Sequence, residues 1–176
     1  WIQGDKLYIA IGGGNATLPG PAPGTEIPNP NPNSPLFSSI LEYELPPFRR
    51  NFRRFEFDTL SGRDHRRLAN GEIIDFTKTG FFQPPGSPSG RLRLVTNFPD
   101  FTPAPRPGVP GNVRPSNPFG LVLHSNTLYV IDAAQNNLQE VDIDDGSTVT
   151  LFSYPPRANP LPFGPPVIDA VPDSLR

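Results

Sequence analysis

Apolar and polar positions are ordered most regularly between Asn117 and Pro156, NPFGLVLHSNTLYVIDAAQNNLQEVDIDDGSTVTLFSYPP. Gly120-Leu121-Val122-Leu123 and Leu128-Tyr129-Val130-Ile131 are short apolar runs, separated by the turn cluster His124-Ser125-Asn126. After a second interruption over Asp132 to Asn137, Leu138-Gln139-Glu140-Val141-Asp142-Ile143 alternates apolar with polar, the mark of a half-buried strand. Asp144-Asp145-Gly146 reads as a hairpin turn in which glycine takes positive φ without a Cβ clash, and Val149, Leu151 and Tyr154 lie on a fourth run. The pattern predicts four strands at roughly ten-residue spacing in one up-and-down antiparallel sheet, the size of a propeller blade.

The same alternation recurs elsewhere. Leu7-Tyr8-Ile9-Ala10-Ile11 is a strand stopped by Gly12-Gly13-Gly14, Ile40 to Leu45 is a strand ended by Pro46-Pro47, and Arg91-Leu92-Arg93-Leu94-Val95-Thr96 alternates cleanly. Residues 16–37 carry seven prolines, which cannot donate ladder hydrogen bonds, so this stretch reads as a loop of polyproline II character. Residues 99–118 read as a second loop. Over 48–83, Phe48, Phe52 and Phe55 have helical spacing while Phe55 and Phe57 have strand spacing, so a short helix or hairpin in an excursion from the sheet is expected.

Sliding the opening segment by 121 positions lays LYIAIGGGN (7–15) on LYVIDAAQN (128–136). SSILEYEL (38–45) then falls on NNLQEVDI (136–143), and GRLRLVTNFP (90–99) falls on GSTVTLFSYP (146–155). The order is the same in both copies and the added lengths fall at turns, where extra loop costs little entropy. The organisation expected is an incomplete blade over 1–99 with insertions at 16–37 and 46–89, a Pro-rich connector over 100–116, a complete blade over 117–156, and a connector with the start of another blade over 157–176. Repeat architectures need about three or more units to bury their faces. The chain, which opens on Trp1 and holds no Met, is therefore expected to be a piece of a longer protein, marginally stable because of its open sheet edges.

Composition refines this picture. The 26 Pro and 16 Gly among 176 residues favour strands joined by long irregular segments, giving an all-β fold class, a partial β-propeller of four-stranded antiparallel blades with long Pro-rich loops. A net charge of −2 gives no global field for nucleic acid. Without cysteine, disulfides and thiolate chemistry are excluded, and no apolar run approaches the roughly 18 residues of a membrane span.

Ser116-Asn117-Pro118-Phe119-Gly120-Leu121, Leu128-Tyr129-Val130-Ile131-Asp132-Ala133, Asn136-Asn137-Leu138 and Val141-Asp142 carry a resemblance. On these residues the chain resembles the scytonemin-biosynthesis propeller family (ScyD/ScyE-type proteins), related in blade style to the NHL-repeat propellers. The resemblance covers 1–15, 38–45 and 90–156 and leaves out 46–89. It implies a β-propeller of about six blades, exported in bacteria and therefore extracytoplasmic, with no established catalytic residues to carry over.

Candidate chemistry is sparse. Gly12-Gly13-Gly14 is not followed by a helix start, so a strand terminus accounts for it better than a phosphate loop. Asp132, at a strand end where the other copy has Ile11, is the candidate metal ligand, with calcium the cation in mind. Glu140, Asp142, Asp144 and Asp145 lack EF-hand spacing, and a hairpin suffices for them. His65 and His124 are the only histidines and have no companion motif. Arg49, Arg50, Arg53 and Arg54, interleaved with Phe, could contact a polyanion, although packing of the Phe residues on a blade edge is the commoner use. Asn15-Ala16-Thr17 fits a glycosylation sequon that matters only in a eukaryotic secretory setting. The functional expectation is a non-catalytic binding or scaffold propeller of unknown ligand; the alternative is a metal-dependent lactonase or esterase-type propeller hydrolase using Asp132.

Overall fold

A computed structural model describes residues 1–45, 60–76, 90–163 and 166–172. The strands are β1 (Ile2–Gln3), β2 (Lys6–Ile11), β3 (Thr17–Pro19), β4 (Glu26–Pro28), β5 (Ser39–Glu44), β6 (Ile74–Asp75), β7 (Arg91–Asn97), β8 (Phe101–Pro103), β9 (Val113–Pro115), β10 (Pro118–His124), β11 (Thr127–Asp132), β12 (Asn137–Asp142), β13 (Thr148–Ser153), β14 (Arg157–Ala158) and β15 (Val167–Ile168). Among the described residues there is one helix, α1 (Gly62–Ala69), between β5 and β6. The described chain is all-β in character, built on two antiparallel sheets, one ordered β1-β2-β5-β7-β6 and the other β10-β11-β12-β13.

Strands β2, β5 and β7 of the first sheet pair as β11, β12 and β13 of the second do. Lys6 pairs with Glu44 and Ile11 with Ser39, as Thr127 pairs with Asp142 and Asp132 with Asn137. Along the next ladder Ile40 faces Thr96 and Leu41 faces Leu94, with a bulge between; Leu138 faces Phe152 and Gln139 faces Thr150, with a bulge at the equivalent place. The bulge leaves Val95 and Leu151 as the extra residues. Equivalent bonds also close the strand ends: Phe98 N donates to Ser38 O as Tyr154 N donates to Asn136 O, and Leu45 N to Asp5 O as Ile143 N to Asn126 O. Ser38 and Asn136, which occupy equivalent positions, both have positive φ, 60° and 55°. A bulge and a left-handed residue each redirect the strand, so sharing both means that the two sheets share a path and not only a strand count.

Alternation along the strands gives each sheet two distinct faces. In the first sheet one face carries Tyr8, Ile40 and the bulged Val95, and Phe98 follows on the same side; the other carries Ile9, Leu41, Tyr43 and Leu92. The first of these faces packs on the second sheet through Leu123, Leu128, Val130, Val141 and Ile143, forming one buried cluster. In repeat terms Leu128 and Val130 correspond to Leu7 and Ile9. The front of one sheet therefore meets the back of the next, a head-to-tail contact rather than a symmetric one.

The back of the first sheet is covered by the insertion instead. Ser61 caps α1 by accepting from Asp64 N, while the Asp64 carboxylate accepts from Ser61 N, a reciprocal capping box. That box starts a short helix whose Leu68 packs with Leu36, Leu41, Ile74 and Leu92. Strand β6 adds to β7 at the edge of the same sheet.

The Pro-rich segments differ from the expected loops. Residues 16–37 contain the hairpin β3–β4, and the connector over 100–116 contains the hairpin β8–β9. Pro19, Pro28, Pro103 and Pro115 sit at strand ends of two-stranded ribbons, where a missing N–H removes no central ladder bond. Asn112 ties the hairpins together, its Oδ1 accepting from Glu26 N and its Nδ2 donating to Ala104 O. The sequence reading over Phe48 to Phe57 falls outside the described residues. Among the described residues no helix is long and apolar enough to cross a membrane.

The head-to-tail packing makes an expectation about two leucines. Leu128, fully buried between the sheets, should cost about 2–5 kcal/mol on replacement by alanine, whereas Leu151, 46% exposed, should cost less than about 1 kcal/mol. Equilibrium urea unfolding of the two variants checks this; equal losses would contradict the packing.

Candidate functional site

Polar seams join the two sheets at both ends of their strands. The first lies where β2 runs out into Gly12-Gly13-Gly14 and the chain enters β10. Gly13 N donates to Asn117 Oδ1 at 3.3 Å, and Ser38 Oγ donates to Ser116 O at 2.9 Å. A Cβ on Gly13 would stand 2.7 Å from Ser116 O, so the glycine there serves a close backbone approach between sheets.

Asp132 is the centre of this seam. It is 1% exposed, and its Oδ1 accepts from the backbone amides of Asn117, Ala134 and Gln135 at 3.0, 3.0 and 2.8 Å. Its Oδ2 accepts from Ser116 Oγ. Gln135 continues the network, donating through Nε2 to the carbonyls of Arg114 and Pro115. A hard cation such as calcium asks for six to eight oxygen ligands. Here both carboxylate oxygens are already engaged by protein donors, and the buried side-chain oxygen left without a partner among the described residues is Asn137 Oδ1 alone. No group of three or more His, Cys, Asp or Glu residues able to hold a metal occurs among the described residues. The donor set does not fit calcium; it fits a carboxylate that closes the tight β11–β12 turn and fixes the start of β10. Ile11 occupies the equivalent place in the first sheet because the link from β2 to β5 is long and has no tight turn to close.

The second seam is built on Glu42, whose side chain is 6% exposed. Its carboxylate accepts from Arg93 Nε at 2.9 Å and Arg93 Nη2 at 3.0 Å, from Tyr8 Oη at 2.9 Å and from Lys6 Nζ at 3.2 Å. Arg93 Nη2 also donates to Ile143 O at 2.9 Å, so one guanidinium bridges a buried carboxylate of the first sheet and a carbonyl of the second. Burial pushes the Glu42 carboxyl up, but hydrogen bonds from Arg93, Tyr8 and Lys6 outweigh it and hold the group below its ordinary value. Burial, then the bond to Glu42, raises the Tyr8 phenol. Lys6, Glu42, Glu44, Ile73, Arg91 and Arg93 line an open cleft of about 230 Å³ beside this cluster. Arg91 pairs there with Glu44 and Asp75, at 3.7 and 3.4 Å, so the cleft's charges are matched internally.

Comparison of the chain with family models, with curated proteins and with solved structures returned no match.

The remaining candidates stand apart from one another. His65 lies on α1 with Nδ1 2.9 Å from Ser34 Oγ, and His124 is exposed at the end of β10. Asp142 and Asp145 organise the hairpin, accepting from the amides of Asp144 and Ser147. The bond to Ser147 holds the Asp145 carboxyl below its ordinary range. Arg49, Arg50, Arg53 and Arg54 lie outside the described residues. Sequence reasoning missed the Glu42–Arg93 cluster, although its signal was present. Glu42 and Glu44 alternate along one strand and Arg91 and Arg93 along another, and the observed register places Glu42 opposite Arg93 and Glu44 opposite Arg91.

A group held below its ordinary value contributes stability that is complete above that value and is lost as pH falls through the folded-state value. Glu42 should therefore weaken the protein as pH falls below its ordinary 4.5. Glu42→Gln should cost about 1–3 kcal/mol at pH 7 and make the acid loss shallower. Arg93→Ala, which strands a buried carboxylate, should cost about 3–5 kcal/mol. Thermal melts across pH 3–7 check both, and an acid profile unchanged in Glu42→Gln would contradict the assignment.

Proposed function

We propose that the chain supplies adjacent blades of a β-propeller of the scytonemin-biosynthesis type and acts as a non-catalytic binding or scaffold module outside the cytoplasm. The observation that supports this best is the combination of identical strand register and bulge in the two sheets with their front-to-back stacking. A ring of blades needs this combination, because each sheet must offer one face forward and a different, complementary face backward. The extracytoplasmic setting comes from the family resemblance.

The carboxylates and histidines favour a scaffold over the hydrolase alternative. Among the described residues the buried carboxylates are Asp132 and Glu42, and each is engaged by structural hydrogen bonds. The two histidines sit on separate elements, α1 and the end of β10. A general base must stand within reach of a substrate proton, and both carboxylates are buried and held by protein donors.

Hydrolysis of phenyl acetate and of γ-butyrolactone, measured with and without calcium chloride, tests the reading. No turnover above buffer and no saturable calcium heat by titration calorimetry are expected. Calcium-dependent lactone turnover that disappears in a folded Asp132→Asn variant would establish the hydrolase in place of the scaffold.

A further inference from the structure

Each main sheet sends extra length out at one end, and three short hairpins stand there. Strands β2 and β7 both run antiparallel to β5 and so finish at the same end of the first sheet. Hairpin β3–β4 follows β2, β8–β9 follows β7, and β14–β15 follows β13 at the matching end of the second sheet. Side chains tie the three into one rim. Glu26 N donates to Asn112 Oδ1 between the first two hairpins, and Arg114 Nη2 donates to Asp169 Oδ2 at 2.9 Å between the last two.

An antiparallel ladder turns the N–H and C=O of alternate residues toward the partner strand and away from it. Along β8 and its continuation, Ala104 N donates to Asn112 O and Arg106 N to Val109 O, while Asp100 O accepts from Ser116 N. The even-numbered residues therefore face β9, and Phe101, Pro103, Pro105 and Pro107 face outward. At β3, Gly20 N donates to Thr25 O, which leaves Pro19 outward. In the third hairpin Asn159 N donates to Pro166 O, which leaves Pro156, Ala158 and Pro160 outward. Tolerance of proline at strand edges explains why the leading strands β3, β8 and β14 carry none at inward positions. It does not explain why proline fills each outward position from 103 to 107, all of them exposed.

We propose that these prolines close the hairpin rim to strand partners, a second copy of this chain included. Past Phe101 the outer edge of β8 offers carbonyls and no N–H, so an incoming strand finds no donor for its own carbonyls. A partner at this rim must bring side-chain donors in place of a backbone ladder. Strand β13 is built the other way: it is terminal in its sheet, exposed throughout and free of proline from Thr148 to Ser153. The inference concerns hairpins outside the repeated strands and stands whether or not the sheets belong to a propeller.

Pro103→Thr with Pro105→Thr in the full chain tests this by restoring outward N–H groups next to that of Phe101, enough for β8 to pair with β8 of another copy. The self-association constant from sedimentation velocity should rise at least about tenfold over the native chain. The amides of residues 103 and 105 should become protected from exchange as the concentration is raised. The melting temperature at low concentration should stay within about 5 °C of the native value. In the native chain the Phe101 amide should stay unprotected at every concentration. A folded variant that associates no more than the native chain would overturn the proposal. So would association that leaves residues 103 and 105 unprotected, since another surface would then carry it, and so would protection of Phe101 in the native chain. Pro19→Thr, on a separate hairpin, repeats the measurement if the double variant does not fold. Loss of the fold in both would show that the prolines hold the hairpins together rather than close their edges, and would also overturn the proposal.

Discussion

The apolar contact between the front of one sheet and the back of the next is the constraint on which the rest of the structure depends. Neither sheet has a core of its own on that side. Tyr8, Ile40, Val95 and Phe98 are buried in one cluster with Leu123, Leu128, Val130, Val141 and Ile143 of the other sheet. A twisted four-stranded sheet has two faces and cannot bury either alone, so the dominant stabilising term is removal of those side chains from water by the partner sheet. The shared register then matters because it places complementary rows opposite one another. A slip of a single residue in either sheet would turn every buried row to the wrong side.

Polar groups complete this contact at the strand ends, where water reaches the edges of the apolar layer. Arg93 spans the sheets from Glu42 to Ile143, Thr96 Oγ1 donates to Gly146 O at 2.8 Å, and the Gly13 and Ser38 contacts close the opposite end. Buried ion pairs contribute modestly to net stability because desolvation offsets their attraction. The Glu42 cluster is better understood as setting the relative placement of the sheets, since the guanidinium satisfies both partners only when they are aligned. Asp132 has a comparable part within the second sheet, fixing one turn and the strand that precedes it.

Much of this was legible in the sequence and some was not. The alternation in Ile40 to Leu45, Arg91 to Thr96 and Leu138 to Ile143 located central strands, and the three-segment repeat alignment paired positions that turn out to share register down to the bulge at Val95 and Leu151. The prolines misled: they mark the ends of strands in the hairpins β3–β4 and β8–β9, where composition alone suggests continuous loop. Helix α1 follows from the capping box at Ser61 and Asp64, a signal quieter than the Phe spacing beside it. The role of Asp132 was out of reach, because it depends on three backbone amides and a serine that only the folded turn brings together. The charged cluster could have been found by pairing Glu42 and Glu44 with Arg91 and Arg93, but the insertion between those strands hid their adjacency.

A scaffold function is consistent with how the polar side chains are used, since the buried ones are spent on holding sheets and turns in place. The central claim is that the two sheets, sharing one apolar layer, are a single cooperative unit. Native-state hydrogen exchange across a denaturant series measures this directly. The slowest amides of β2 and β5 and those of β11 and β12 should converge on one opening free energy with one denaturant dependence. Two separate isotherms, one for each sheet, would contradict the account.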